Sequence, residues 1–164
     1  MLRNIETLII SYDDCWHHLS SRVLGSLMDL MGRPSLVAVQ VGDHIPGLVI
    51  NLALSSSVKH LTLPLERHAI DGLLERPRPT TDPVYLEYLY IGRPFLFLAL
   101  LSVPISRLSI SRLRKLFVRS PALEEHASIW QLLQFCLNTL EDFEFNPNHD
   151  GMLSIMINET EVMY

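Results

Sequence analysis

The sequence predicts an α/β fold, a solenoid of about six parallel strands in chain order with helices on its convex side. Three observations predict it. A short apolar pattern recurs along most of the chain, and its later copies are almost evenly spaced. Most copies open on a polar or turn-forming residue. The intervals between copies carry helix signals rather than further strands. The length of 164 residues suits a single domain, since domains typically run ~100–200 residues, and residues 1–164 read as one.

The pattern is apolar, two variable, apolar, one variable, apolar. Its copies are Ile5-x-x-Leu8-x-Ile10, Leu36-x-x-Val39-x-Val41, Val58-x-x-Leu61-x-Leu63, Leu86-x-x-Leu89-x-Ile91, Leu113-x-x-Leu116-x-Val118 and Leu140-x-x-Phe143-x-Phe145. Successive copies start 31, 22, 28, 27 and 27 residues apart. A template match alone decides little in a chain that is 48% hydrophobic. Ile105-x-x-Leu108-x-Ile110 also fits and falls off the spacing. The spacing carries more weight, with the openers Asn4, Ser35, Ser57, Arg112 and Thr139. Strands are therefore expected near 5–10, 36–41, 58–63, 86–91, 113–118 and 140–145. Strands alternating with helices over short links imply parallel pairing through crossovers. At this period the chain fits a leucine-rich-repeat-like solenoid, whose units run ~20–29 residues, better than a doubly wound sheet.

The intervals follow in order. Over 19–31, Leu19, Val23, Leu24, Leu27, Leu30 and Met31 share one helical face. Gly32 at C′ and Pro34 beyond it end that helix. A shorter helix is expected at 46–54. The stretch 75–83 holds Pro77, Pro79 and Pro83 without periodicity, so it is a loop. Another short helix is expected at 94–102. Over 121–137, Ile129, Leu132, Leu133, Cys136 and Leu137 share a face, with Ser120 placed to cap and Pro121 suited to the first helical position. The partly apolar tail, 151–164, is expected to close the C-terminal end as a strand or helix.

Composition narrows the function classes. There are 13 Lys+Arg against 18 Asp+Glu, giving a net charge of −5, and the pI is near 5.7. That leaves no electrostatic footprint for phosphates, so no nucleic-acid partner is expected. The mean hydropathy is +0.22 and only 19% of residues are charged, against about 25% in ordinary soluble domains. The most apolar run, Phe95 to Ile105, falls short of the roughly 20 residues a spanning helix needs. Glu6 interrupts the apolar segment a signal peptide requires. The expectation is a cytoplasmic or nuclear protein with no membrane association. Cys15 and Cys136 lie far apart among apolar neighbours and read as buried free thiols of a reducing compartment.

Several stretches together resemble the irregular leucine-rich-repeat region of fungal, basidiomycete F-box-type proteins. They are Asn4-Ile5-Glu6-Thr7-Leu8, Trp16, Pro34-Ser35-Leu36, Ile45-Pro46 and Val58-Lys59-His60-Leu61-Thr62-Leu63. Leu113-Arg114-Lys115-Leu116, Trp130-Gln131-Leu132-Leu133 and Thr139-Leu140-Glu141 complete them. The resemblance covers most of residues 4–147 and implies a substrate-recognition role related to ubiquitin-ligase receptors. The chain departs from the pattern twice. The position three residues past each strand, usually Asn or Cys, is Asp13, His44, Glu66, Pro94, Pro121 and Asn148, and only Asn148 conforms. No F-box precedes the first strand, which suggests a fragment or a shortened relative.

Catalytic and metal signatures are weak. Cys15, His17 and His18 lack a second cluster to complete four ligands, and a loop with surface histidines is the simpler reading. His44, His60, His68, His126 and His149 are scattered singly. Gly25-Ser26 sits mid-helix, outside any G-x-S-x-G elbow, and there is no P-loop and no G-x-G-x-x-G. Glu141, Asp142 and Glu144 alternate with Phe143 and Phe145, as in a half-buried strand. No enzyme activity, cofactor, metal or small-molecule substrate is expected. The alternative is a small α/β ligand-binding domain or enzyme with a site after the strand ends, built from Asp13, Asp14, Asp43, His44, Glu66 and His68.

The strand period carries the more useful inference. The fourth and sixth positions of each unit face the core, and the third, fifth and seventh face outward. In adjacent columns, Tyr88, Tyr90 and Phe117 then cluster beside Lys115 and Arg119. Aromatics with Arg are the residue types enriched at interface hot spots. Two readings stand: a binding face for a protein partner, or ordinary strand residues left singly exposed or covered by a terminal segment. The expected function is a non-enzymatic protein-interaction module.

Overall fold

A computed structural model describes residues 5–11, 20–42, 54–64, 82–102, 106–120 and 125–147. In chain order the described elements are β1 (Thr7–Ile10), α1 (Ser21–Met31), β2 (Ala38–Val41), β3 (His60–Leu63), β4 (Val84–Tyr85), β5 (Tyr88–Ile91), α2 (Pro94–Ser102), β6 (Leu108–Ser109), β7 (Lys115–Ser120), α3 (His126–Cys136) and β8 (Asp142–Pro147). Six strands form one parallel sheet in the order β1-β2-β3-β5-β7-β8. The fold is α/β, and each unit's strand lies beside that of the next.

The register preserves the sequence columns. The third positions, Thr7, Ala38, His60, Tyr88, Lys115 and Asp142, stand opposite one another across the sheet. Below them the second-position carbonyls of Glu6, Val37, Lys59, Glu87 and Arg114 each accept two backbone N–H groups from the following unit, at 2.8–3.1 Å. The strands start at the third position, two residues later than the pattern suggests. The first-position N–H groups of Leu36, Val58 and Leu113 instead close turns onto Arg33, Ser55 and Ile110. Their side chains still reach the core, because a turn constrains the backbone and not the direction of burial.

Two openers reinforce these turns. The Ser35 hydroxyl donates to the Ile5 carbonyl at 3.0 Å, and Thr139 donates to the Leu113 carbonyl at 2.8 Å. Each thus ties its turn to the first position of the preceding unit. Ser57 bonds Ser55 instead, and the Arg112 guanidinium lies over the Tyr85 ring at 4.1 Å.

The fourth and sixth positions of the inner four strands are buried: Val39, Val41, Leu61, Leu63, Leu89, Ile91, Leu116 and Val118. Leu8, Ile10 and Phe145 on the edge strands are only partly buried, because an edge strand has one neighbour instead of two. Leu96, Phe97, Leu100, Ile129, Leu132 and Cys136 join the same cluster, so α2 and α3 pack on this face. Burial raises the Cys136 thiol to about 11, and the thiol donates to the Leu132 carbonyl. It is a free core residue.

Helix α1 starts where Ser20 caps it, its side chain accepting from the Val23 N–H at 3.4 Å. It ends at Gly32, but Gly32 is the cap residue itself, with φ −80° in the right-handed region. It therefore does not serve as the left-handed C′ glycine expected. Val23 is half exposed; the inward stripe is Leu24, Leu27 and Met31, and Val23 lies about a quarter-turn off it. Gly25 has open space where a Cβ would go. Gly25→Ala is therefore expected to raise stability by about 0.5–1 kcal/mol, the helix-interior penalty of glycine, measured by urea denaturation; a loss would refute it.

Helix α2 occupies 94–102 as the pattern predicts, with Pro94 first. Helix α3 begins at His126, with Glu125 as N-cap and no side-chain cap bond. The Ser120 cap is overturned: Ser120 is the last residue of β7, opposite Pro147 on β8. Parallel pairing holds the chain extended there, and the ladder prevails over the local capping preference. Leu137, expected on the buried face, is 59% exposed and lies past the last helical turn.

The off-spacing match also finds a place. Leu108–Ser109 forms β6 and pairs with β4 in a separate two-stranded parallel sheet. Arg107 fastens this pair, donating to the Asp82 carbonyl at 2.7 Å and the Leu54 carbonyl at 2.8 Å. The expected helix at 46–54, most of the 75–83 loop, the tail 151–164 and Cys15 lie outside the described residues. Among the described residues, no helix is long and apolar enough to cross a membrane.

Candidate functional site: the sheet face opposite α2 and α3

Third and fifth positions point away from the helices, as strand alternation requires. Among the described residues, the resulting face runs from Thr7 and Ile9 on β1 to Asp142 and Glu144 on β8. All are half-buried or exposed. Its β1 side carries Ile9, Ala38 and Gln40, its centre aromatic rings, and its β8 side carboxylates.

The structure brings together most of the predicted cluster. Tyr90 and Phe117 occupy equivalent positions on β5 and β7. Their rings stack, with centroids 4.7 Å apart and planes 11° from parallel. Tyr88 and Lys115 are opposite each other one step earlier. Tyr88, however, turns its ring toward His60, at 5.8 Å and 53°. Lys115 reaches the other way, to Asp142 at 3.4 Å. Arg119 is exposed near the end of β7, opposite Asn146.

Three members of this face were not singled out from the sequence: His60, Asp142 and Glu144. The signal was present, since His60 and Asp142 share the third-position column and Glu144 the fifth. Column membership names neighbours, but rotamers decide which neighbour a side chain chooses. Tyr88, Lys115, Leu116, Phe117, Asp142 and Glu144 line a shallow open depression of about 130 Å³.

The second-position column borders the face with alternating charge. Lys59 pairs with Glu87 at 2.7 Å. Arg114 makes two parallel bonds to Glu141, both 2.8 Å. The Lys59 hydrogen bond holds the Glu87 carboxyl below its usual range. Arg114 does the same for Glu141, which in turn raises the guanidinium. These pairs are solvent-exposed, where ion pairs contribute little stability.

No group of three His, Cys, Asp or Glu side chains among the described residues is placed to hold a metal ion. Asp13, Asp14, Asp43, His44, Glu66 and His68, the residues of the alternative strand-end site, lie outside the described residues, as do His17 and His18. Compared with family models, curated proteins and solved structures, the chain matches none.

Proposed function

We propose that the chain is a non-enzymatic interaction module: a leucine-rich-repeat-like solenoid, helices on its convex side, that offers the sheet face opposite α2 and α3 to a protein partner. The observation that carries this reading is the stacked Tyr90–Phe117 pair on that face, with Tyr88 and Lys115 beside it. Rigid aromatic surface of this kind loses little conformational entropy on binding and dominates interface energetics. Sequential parallel pairing of all six units supports the solenoid reading, since units that contact mainly their chain neighbours define such arrays. The resemblance to F-box-type repeat regions supports a substrate-recognition role in ubiquitin ligation for the same face.

Proximity labelling in the source cell, with wild-type chain and with Tyr90→Ala/Phe117→Ala, tests the proposal. The double variant is expected to lose the labelled partner while retaining its cooperative melt. Unchanged labelling of every partner would reject the binding face. Ubiquitin-ligase components among the lost partners are expected if the recognition role holds.

A further inference from the structure

We propose that the depression between β5, β7 and β8 takes the guanidinium of an arginine from an extended segment of the partner; this rests on the binding-face reading above. Tyr90 covers one face of the Phe117 ring. The stack runs along the ladder, so the other ring face turns toward β8. There Glu144 stands at the same register position as Phe117. Glu144 is exposed and makes no ion pair among the described residues. Asp142, by contrast, is already held by Lys115. The lining therefore carries one cation against two carboxylates, leaving one negative charge beside an aromatic face.

A cation complements both features. An ammonium can satisfy the carboxylate, but a planar guanidinium also stacks on the ring and offers two parallel donors to one carboxylate. Cation–π attraction then adds to the ion pair. Phosphate or an acidic peptide would instead meet the Glu144 carboxylate at the open ring face, where the nearest lining cation, Lys115, is already engaged by Asp142.

The probe is capped arginine, Nα-acetyl-L-arginine amide, titrated into the full 15N-labelled chain. The neutral isostere Nα-acetyl-L-citrulline amide is the comparison. Saturable amide shifts at Phe117 and Glu144 are expected with arginine and not with citrulline. Glu144→Gln and Phe117→Leu should each weaken binding by about threefold, and Glu87→Gln should leave it unchanged. Equal response to citrulline, no saturable shift at these residues, or unaltered affinity in Glu144→Gln would overturn the proposal. Loss of partner labelling in Tyr90→Ala/Phe117→Ala alongside a failed arginine titration would keep the binding face and remove the arginine. Arginine binding with unchanged labelling would remove the partner role instead.

Discussion

Leu89→Ala is expected to cost about 3 kcal/mol and to lower the melting temperature by roughly 10 °C. Leu89 is fully buried on β5, between Leu61 on β3 and Leu116 on β7, which are themselves buried. Truncation removes three carbons from a site walled on both sides by the ladder. The flanking strands cannot close in without breaking their hydrogen bonds, so the cavity remains. Ile9→Ala provides the contrast. Ile9 has a similar side chain, but it is 61% exposed on the opposite face of an edge strand. Its loss should change stability by less than about 0.5 kcal/mol, as for ordinary surface positions. Thermal melts of both variants check the pair. Comparable losses from the two would show that the core does not lie on the helix-covered face.

Gly92→Ala is expected to destabilise by about 3 kcal/mol, at the upper end of overpacking costs. A Cβ on Gly92 would stand 2.1 Å from the Pro64 carbonyl oxygen and 2.9 Å from its carbon. Those are backbone atoms at the end of β3, in the strand next to β5. The Gly92 N–H donates to Leu63 at 3.0 Å, so relieving the overlap pulls apart the ladder's last bond. Close approach, and not an unusual φ, makes glycine necessary here. Gly25→Ala should have the opposite sign, and denaturant titration of the two compares them directly. A Gly92→Ala chain as stable as wild type would mean the two strand ends separate freely.

The columns of the sheet were legible in the sequence because a repeating unit writes its register into its spacing. Aligning Leu8, Val39, Leu61, Leu89, Leu116 and Phe143 by pattern reproduces their pairing, since equal units placed side by side bring equal positions together. Helix α2 was equally legible. Pro94 suits a first helical position, and the apolar run after it sets Leu96, Phe97 and Leu100 in the core while Phe95 stays exposed. The third and fifth columns named the candidate site for the same reason.

Other features depended on neighbours distant in sequence. Ser120 and Pro121 carry strong local signals for starting a helix, yet pairing with β8 keeps Ser120 extended. Ile105-x-x-Leu108-x-Ile110 has a strand pattern, but β7 already occupies the place beside β5, and the segment pairs with β4 instead. Gly92 looks like any turn glycine until Pro64 is set against it. His60 and Asp142 became site residues when Tyr88 and Lys115 turned toward them. The sequence by itself determined which residues share a column and which face is apolar, because both follow from local periodicity. Only the tertiary structure decided where strands stop, which glycine is irreplaceable and how the exposed side chains pair, because those depend on contacts between segments of different units.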